Sequence, residues 1–382
     1  MNSEYRICTR CVMDTTDPDI VFDENGVCNH CHNQERMVRE FVISGEAGLS
    51  HLEQISEKIR HEGKGKTYDC VIGVSGGVDS TYVAYKAKEL GLHPLAVHLD
   101  NGWDSELAVK NIEQTLKLLG IDLYTDVLNW EEFKDLQVAF LRASTPDSEI
   151  PTDHAIWGTL GNMADKVGVK YIISGFNVRT ETHLPSAWSQ GHYDWKYIRS
   201  VHRMFGKVPL KSFPHQDLLT IYKRRVTQRK VDILNYLDYS KEDAMKLLQE
   251  KLGWKYYGGK HYESIYTRFY QGYILPVKFG FDKRRVHLSS LVCSGQMTRE
   301  QALMELEKPT YSPAMQEEDR EYVIKKLGLS DESFEAIMNA PKKSYWDYPS
   351  YGPMMKSRLY QLFYNSALRT VRIYRSLRAR LS

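Results

Sequence analysis

Residues 68–80 run Tyr-Asp-Cys-Val-Ile-Gly-Val-Ser-Gly-Gly-Val-Asp-Ser, a short apolar stretch that passes through S-G-G-x-D-S directly into a helical pattern. No other segment constrains the chain so tightly. A buried strand that opens onto paired glycines and then a helix builds a nucleotide-binding turn at the strand's carboxyl end. Gly76 and Gly77 lack a Cβ, so the backbone there can approach a pyrophosphate closely. Ser75, Asp79 and Ser80 stand where the next helix presents unpaired N–H groups and the positive end of its dipole. The segment fits neither G-x-x-x-x-G-K-[ST] nor G-x-G-x-x-G, which argues against phosphoryl and hydride transfer as the chemistry.

From there the pattern alternates. Strands are predicted over 70–74, 94–99, 123–128 and 170–174, and helices over 79–90, 105–119, 130–143 and 155–167. Continuous apolar strands between helices predict an α/β fold, a parallel sheet with helices on both faces. Ligands in such sheets bind beyond the carboxyl ends of the strands, where the loops 75–80, 100–103 and 175–177 lie. Trp103, in the second loop, is either a ring for stacking on a base or a packing residue.

With 382 residues the chain has room for several domains. The patterning suggests a zinc-binding module over 1–40, connecting helices over 41–66, the sheet domain over 67–253 and a mostly helical region over 254–382. A net charge of +2, from 51 basic and 49 acidic residues, argues against a whole-molecule electrostatic nucleic-acid binder. The first residues lack the apolar core of a signal peptide and no run approaches the length of a bilayer span, so a cytoplasmic location is expected.

Cys8, Cys11, Cys28 and Cys31 form a C-x2-C…C-x2-C array. In a reducing compartment that spacing reads as a tetrahedral Zn2+ site rather than two disulfides. The intervening residues, with Asp23-Glu24-Asn25-Gly26 as a turn, predict a short hairpin whose folding energy the ion supplies. Four thiolates close the shell, which makes the site structural and leaves His30 and His32 to solvent or to the surroundings of the ligands.

Past Asn177, residues 179–222 are rich in His, Trp and Tyr with little periodicity, as in a long functional loop. A strand-like 230–237 follows, then a helix opened by Ser240 and ending near Gly253, and a capping box at Thr298-Arg299-Glu300-Gln301. Lys260, Arg268, Arg285 and His287 sit among aromatic residues in a cation-rich stretch that suits a nucleotide-sugar diphosphate or another anion, or else an exposed charged helix face. After Asp347 the charges are all basic, from Lys356 and Arg358 to Arg380. They describe a basic amphipathic helix for a membrane surface, an RNA backbone, an acidic partner or the chain's own domain.

The loop 74–80 resembles the PP-loop of the N-type ATP pyrophosphatases, which split ATP between its α and β phosphates. That resemblance implies an adenine nucleotide alpha hydrolase-like fold, with Asp79 holding Mg2+ against the polyphosphate and Asp100 near the adenosine. Gly175 and Asn177 then belong to the second nucleotide loop, where the family often carries histidine in place of Phe176. Such enzymes pass nitrogen or sulfur to an adenylylated oxygen. Outside the cysteine array only Cys70, in a buried strand, and Cys293 remain, which favours nitrogen. No glutaminase motif of the G-x-C-x-G kind occurs, so ammonia must come from a separate subunit or from solution.

Taken with the ribbon 8–31, the run 151–156 and the stretches 257–264 and 294–300, the loop makes the chain similar to the N-acetyl sugar amidotransferases of bacterial surface-polysaccharide biosynthesis. The resemblance implies ATP, Mg2+ and Zn2+, and conversion of an acetamido to an acetamidino group on a nucleotide-linked sugar. It also implies partners similar to the glutaminase and barrel subunits of imidazole glycerol phosphate synthase, and no nucleic acid. It casts Asp79, Lys260, Arg285 and His287 as catalytic, and Asp153, Lys260, Arg268, Arg285 and His287 as sugar-nucleotide contacts, with Asp153 alternatively a helix cap. A PP-loop tRNA sulfurtransferase and a non-enzymatic nucleotide-binding scaffold are the rival readings.

Overall fold

Five parallel strands form the centre of the computed structural model, which describes residues 4–259, 262–358 and 360–362. They are β1 (Cys70–Gly73), β2 (Pro94–Asp100), β3 (Leu123–Val127), β4 (Tyr171–Ser174) and β5 (Arg229–Asp232), in the spatial order β3-β2-β1-β4-β5. Cys70 pairs with Pro94 on one side and with Tyr171 on the other. The chain therefore winds outward from β1 to β3 and returns to β4, so the direction of winding reverses between β1 and β4.

Helices α1 (Asn29–Phe41) and α2 (Gly45–Gly63) precede the sheet. Those that follow are α3 (Val78–Glu89), α4 (Glu106–Leu119), α5 (Trp130–Ala143), α6 (Ile150–Lys166), α7 (Trp195–Phe205), α8 (Leu218–Thr227) and α9 (Lys241–Leu252). The pleat sends alternate strand residues to opposite faces. Val71, Leu95, Val97 and Ile172 pack on Leu160, Met163 and Ala164 of α6, whereas Cys70, Ile72 and Ala96 meet α3, α4 and α9 on the other side. Each branched side chain buried this way contributes roughly 1.5–3 kcal/mol.

Capping agrees with the sequence at several ends. Ser240 accepts from the Asp243 N–H and Gly253 closes α9 at φ 62°. Thr298 and Gln301 form a reciprocal capping box.

Three expectations change. β3 is an edge strand with Val127 67% exposed, so it alternates instead of running continuously apolar. The stretch 230–237 divides into β5 and a 3-10 turn, Ile233–Tyr236. The supposed loop 179–222 contains α7 and the start of α8; Trp195, Ile198 and Val201 of α7 are buried and the helix packs on α5. Proline, glycine and histidine around this one short amphipathic helix dilute its period.

The C-terminal region is helical. α10 (Ile265–Phe269) widens into π-type turns over Tyr270–Phe279, where Pro276 has no N–H to give. Then come α11 (Arg284–Cys293), α12 (Arg299–Glu307), α13 (Pro313–Leu327), α14 (Asp331–Asn339) and α15 (Gly352–Lys356). The proposed basic helix past Arg358 lies, apart from residues 360–362, outside the described residues. Among the described residues no helix is long and apolar enough to cross a membrane.

The cysteine module carries two short antiparallel bridges, Ile7 with Asp14 and Phe22 with Cys28, in place of a full hairpin. It docks on the C-terminal helices through polar clamps. Arg285 donates to the Val12 carbonyl at 2.7 Å and to the Tyr5 hydroxyl at 3.0 Å, and pairs with Asp14 at 2.9 Å. Arg299 donates to the carbonyls of Cys8 and Cys11. Asp14 is 1% exposed, so removing its cation strands a buried carboxylate. Arg285→Met should lower stability by roughly 3 kcal/mol in urea denaturation, and adding Asp14→Asn should recover part of the loss. A change below about 1 kcal/mol would mean that the clamp does not hold the module.

Candidate active site

The turn after β1 is held by its own polar atoms. The Ser75 N–H donates to Ser80 Oγ at 3.2 Å, the Gly77 N–H to Ser75 Oγ at 3.4 Å, and Ser80 Oγ to the Gly77 carbonyl at 3.2 Å. Trp254 Nε1–H donates to the Gly76 carbonyl at 3.0 Å, fixing the turn from outside. Gly76 has φ 77°, and a Cβ there would stand 2.8 Å from the Ala108 carbonyl oxygen. Gly77 is the N-cap of α3, so the open end of that helix faces the turn.

Gly175, after β4, lies against Asp79, where a Cβ would come within 3.4 Å of the aspartate's own Cβ. Asp79 accepts from the Tyr239 hydroxyl. Its carboxylate and the Ser75 and Ser80 hydroxyls are hard oxygen donors on one turn, a set that suits Mg2+ accompanied by phosphate oxygens.

A cavity of about 410 Å³ opens beyond the strand ends, bounded by Ser75, by residues 97–99 of β2 and by residues 172–175. Its far wall is polar. Ser189 Oγ lies 2.6 Å from His192 Nε2 and donates to Asp147, while His192 Nδ1 lies 2.9 Å from Asp153 Oδ2. His154 holds the same histidine by its backbone, with Nδ1 2.8 Å from the His192 carbonyl, and its Nε2 accepts from the Gln216 N–H at 3.0 Å. Burial pushes His154 down to about 4, in keeping with an accepting Nε2. For His192, burial pulls the other way but is outweighed by Asp153, and its pKa is raised.

A second cavity, of about 510 Å³, lies on the C-terminal side, and the two share Thr267, Gln271 and Lys283. Its lining includes Lys241, Arg268, Lys283, Arg284, His287 and Lys308, with Tyr256, Tyr257, Tyr262 and Tyr311 between them. Lys283 stands 3.7 Å from Glu149; burial disfavours its charge, but Glu149, Asp147 and Asp153 together raise its pKa.

Of the residues expected in the site, Ser75, Gly175 and Asp153 line the first cavity, and Arg268 and His287 the second. Gly76, Gly77, Asp79 and Ser80 form the turn between them. Arg268 is engaged by Asp319 in a two-point pair at 2.7 and 2.6 Å. Arg285 is turned to the cysteine module and lines neither cavity. Asp100 accepts from the Gly102 N–H and shapes its turn. Asn177 is fully buried and clamps Thr180, so it is a loop-forming residue. Trp103 is core, donating to Gln137. Asp153 does not cap α6, which begins at Ile150, but binds His192. Lys260 lies outside the described residues.

The four ribbon cysteines are buried, with Sγ atoms 3.6–3.8 Å apart along three edges. A tetrahedral ion with Zn–S bonds of about 2.3 Å has edges of about 3.8 Å, so the thiolates fit zinc; a disulfide needs about 2.05 Å.

Residues 263–362 match the family described as LPS biosynthesis protein WbpG-like, C-terminal domain. Over 328 residues, 83% of this chain and 99% of the relative, the sequence is 26% identical to the uncharacterized protein MJ1599 of Methanocaldococcus jannaschii. Over 202 residues it is 28% identical to the tRNA-specific 2-thiouridylase MnmA 1 of Caldanaerobacter subterraneus subsp. tengcongensis, covering 48% of this chain and 50% of that protein. The chain is thus similar to a lipopolysaccharide-biosynthesis family over its C-terminal segment, and the turn after β1 resembles a PP-loop. Among solved structures, the chain aligns with the NH3-dependent NAD synthetase of Campylobacter jejuni (TM-score 0.30, 14% identity, 78% of this chain and 98% of that one). It also aligns with the NMN synthetase of Francisella tularensis (TM-score 0.29, 13% identity, 54% and 88%). Superpositions that loose say nothing of chemistry.

The PP-loop depends on glycine at one position for two separable reasons. Gly120, at φ 59° with nothing within 4 Å of a Cβ, would meet strain alone, whereas Gly76 would meet strain and a carbonyl. Gly120→Ala should cost about 1 kcal/mol and Gly76→Ala roughly 2–3 kcal/mol in denaturation, with ATP affinity lost in the second variant only. Equal costs would show that the contact with Ala108 relaxes.

Proposed function

We propose that the protein is an ATP-dependent amidotransferase that forms AMP and pyrophosphate while converting the acetamido group of a nucleotide-linked sugar to an acetamidino group. The observation that carries this reading is the meeting of two unlike cavities at Thr267, Gln271 and Lys283. The first ends on the PP-loop and includes Asp104, Asp147, Glu149, Asp153 and Glu263 in its wall, a lining that suits a magnesium nucleotide and an ammonium ion. The second is cationic and aromatic and is built largely from the WbpG-like segment, which suits a sugar diphosphate and its base.

In this reading Mg2+, when bound, neutralises the polyphosphate. The turn 75–80 holds the departing pyrophosphate by hydroxyl and backbone donors. The acetamido oxygen reaches past Lys283 and attacks the α-phosphorus, and Lys283 faces the charge that builds there. Ammonia then adds to the activated carbon and AMP leaves with the former amide oxygen; the surplus proton passes to the Ser189 hydroxyl, which in turn gives its own proton to Nε2 of neutral His192, whose Nδ1–H Asp153 holds. A separate glutaminase subunit with a barrel partner supplies the ammonia, in the cytoplasm.

Sulfur transfer finds less support. Cys70 is fully buried, with its thiol pushed well up by burial, and neither Cys70 nor Cys293 lines either cavity.

Incubation with ATP, ammonium and a panel of UDP-linked acetamido sugars should give AMP, pyrophosphate and a product in which NH replaces O by mass. Asp79→Ala should lower turnover at least 100-fold and leave zinc content unchanged. Release of ADP instead of AMP would refute the assignment. Because His192 must be neutral to accept a proton and its pKa is raised, turnover should climb as pH rises through a value above 6.5. Asp153→Asn removes the carboxylate that raises it, so the acid limb should move to lower pH. An unmoved limb would assign the base elsewhere.

A further inference from the structure

A fifth cysteine stands beside the ribbon. Cys293, at the end of α11, places Sγ 3.5 Å from Cys31 Sγ and 3.7 Å from His183 Nε2. The three ligand atoms all lie within 4.8 Å of one another, although they come from α1, the segment after β4 and the C-terminal helices. We propose that Cys31, His183 and Cys293 bind a second zinc ion that shares the Cys31 thiolate with the four-cysteine site.

The distances suit it. Zinc with bonds of about 2.3 Å to sulfur and about 2.0 Å to nitrogen holds neighbouring ligands about 3.5–3.8 Å apart. His183 is fully buried, and its tautomer is fixed from the other side. Ser290 Oγ donates to the Val286 carbonyl at 3.0 Å, so it accepts from His183 Nδ1–H at 3.0 Å, and the Nε2 lone pair is left pointing at Cys293. A hydrogen-bonded Nδ1 and a free-facing Nε2 are what a zinc-ligating histidine needs.

Charge favours the arrangement too. Zn2+ with four thiolates carries −2; adding Zn2+ and converting the Cys293 thiol to a thiolate brings the pair to −1, with one proton released. Thiolates shared between two zinc ions are the basis of Zn2Cys6 modules. The three protein ligands leave a fourth position for water. The ion would tie the ribbon, the segment after β4 and α11 at one point.

The competing arrangement is a Cys293 S–H donated to a single site's Cys31 thiolate, and the two differ in stoichiometry. The full-length chain, purified in reductant, stripped with a chelator and reloaded with Zn2+, should hold two ions per chain by inductively coupled plasma mass spectrometry. Cys293→Ala and His183→Ala should each hold one. With Co2+ in place of zinc, Cys293→Ala should lose part of the sulfur-to-cobalt charge-transfer absorption. One ion in the unmodified chain overturns the proposal without recourse to any variant, and two ions in both variants overturn it by placing the second ion elsewhere. No turnover is read, so the outcome does not depend on the function proposed above.

Discussion

The parallel pairing of β1 with both β2 and β4 is the constraint on which the rest of the structure depends. It brings three strand ends to one edge and reverses the winding there, which leaves a crevice that no crossover helix fills. The PP-loop closes one side of that crevice and Gly175 the other. Because the strands are buried on both faces, the loop's position is set by the registers of β1, β2 and β4 and not by its own weak hydrogen bonds. At Gly76 the chain passes α4 so closely that a Cβ would strike the Ala108 carbonyl.

Polarity divides the labour between the two cavities. Carboxylates gather in the cavity at the strand ends, and lysines, arginines and tyrosines gather on the side of the WbpG-like segment. Lys283 is the cation common to both. With Glu149 beside it, Lys283 stays charged despite partial burial.

The central strands β1, β2 and β4 were legible because they are largely apolar, and α9 because Ser240 caps it. The PP-loop and the cysteine array were legible because each is a contiguous motif whose spacing carries its geometry. The polar wall was not. Asp147, Asp153, Ser189 and His192 belong to α6, its preceding turn and a segment some forty positions away, and nothing in their spacing predicts that His192 meets Asp153. In the cation-rich stretch the limit is different. Lys283, Arg284 and Arg285 are adjacent in sequence, yet the first faces both cavities, the second binds Asp282 and the third binds the ribbon. Orientation around one turn of α11 decides among them, and composition cannot report it. The α7 helix escaped for a third reason: its surroundings carry the composition of a loop.

The ribbon's place in this arrangement follows from that same helical turn. α11 presents Arg285 to the ribbon and His287 to the second cavity within two residues, and one turn later Ser289 accepts from the Val12 N–H. A helix pinned at 285 and 289 cannot rotate without breaking a buried ion pair, so the ribbon fixes which side chains α11 turns toward the second cavity. The ribbon orients α11, and α11 together with Lys283 at its N-cap sets the boundary between the two cavities. The ribbon thus bears on the boundary between the two cavities through one helix.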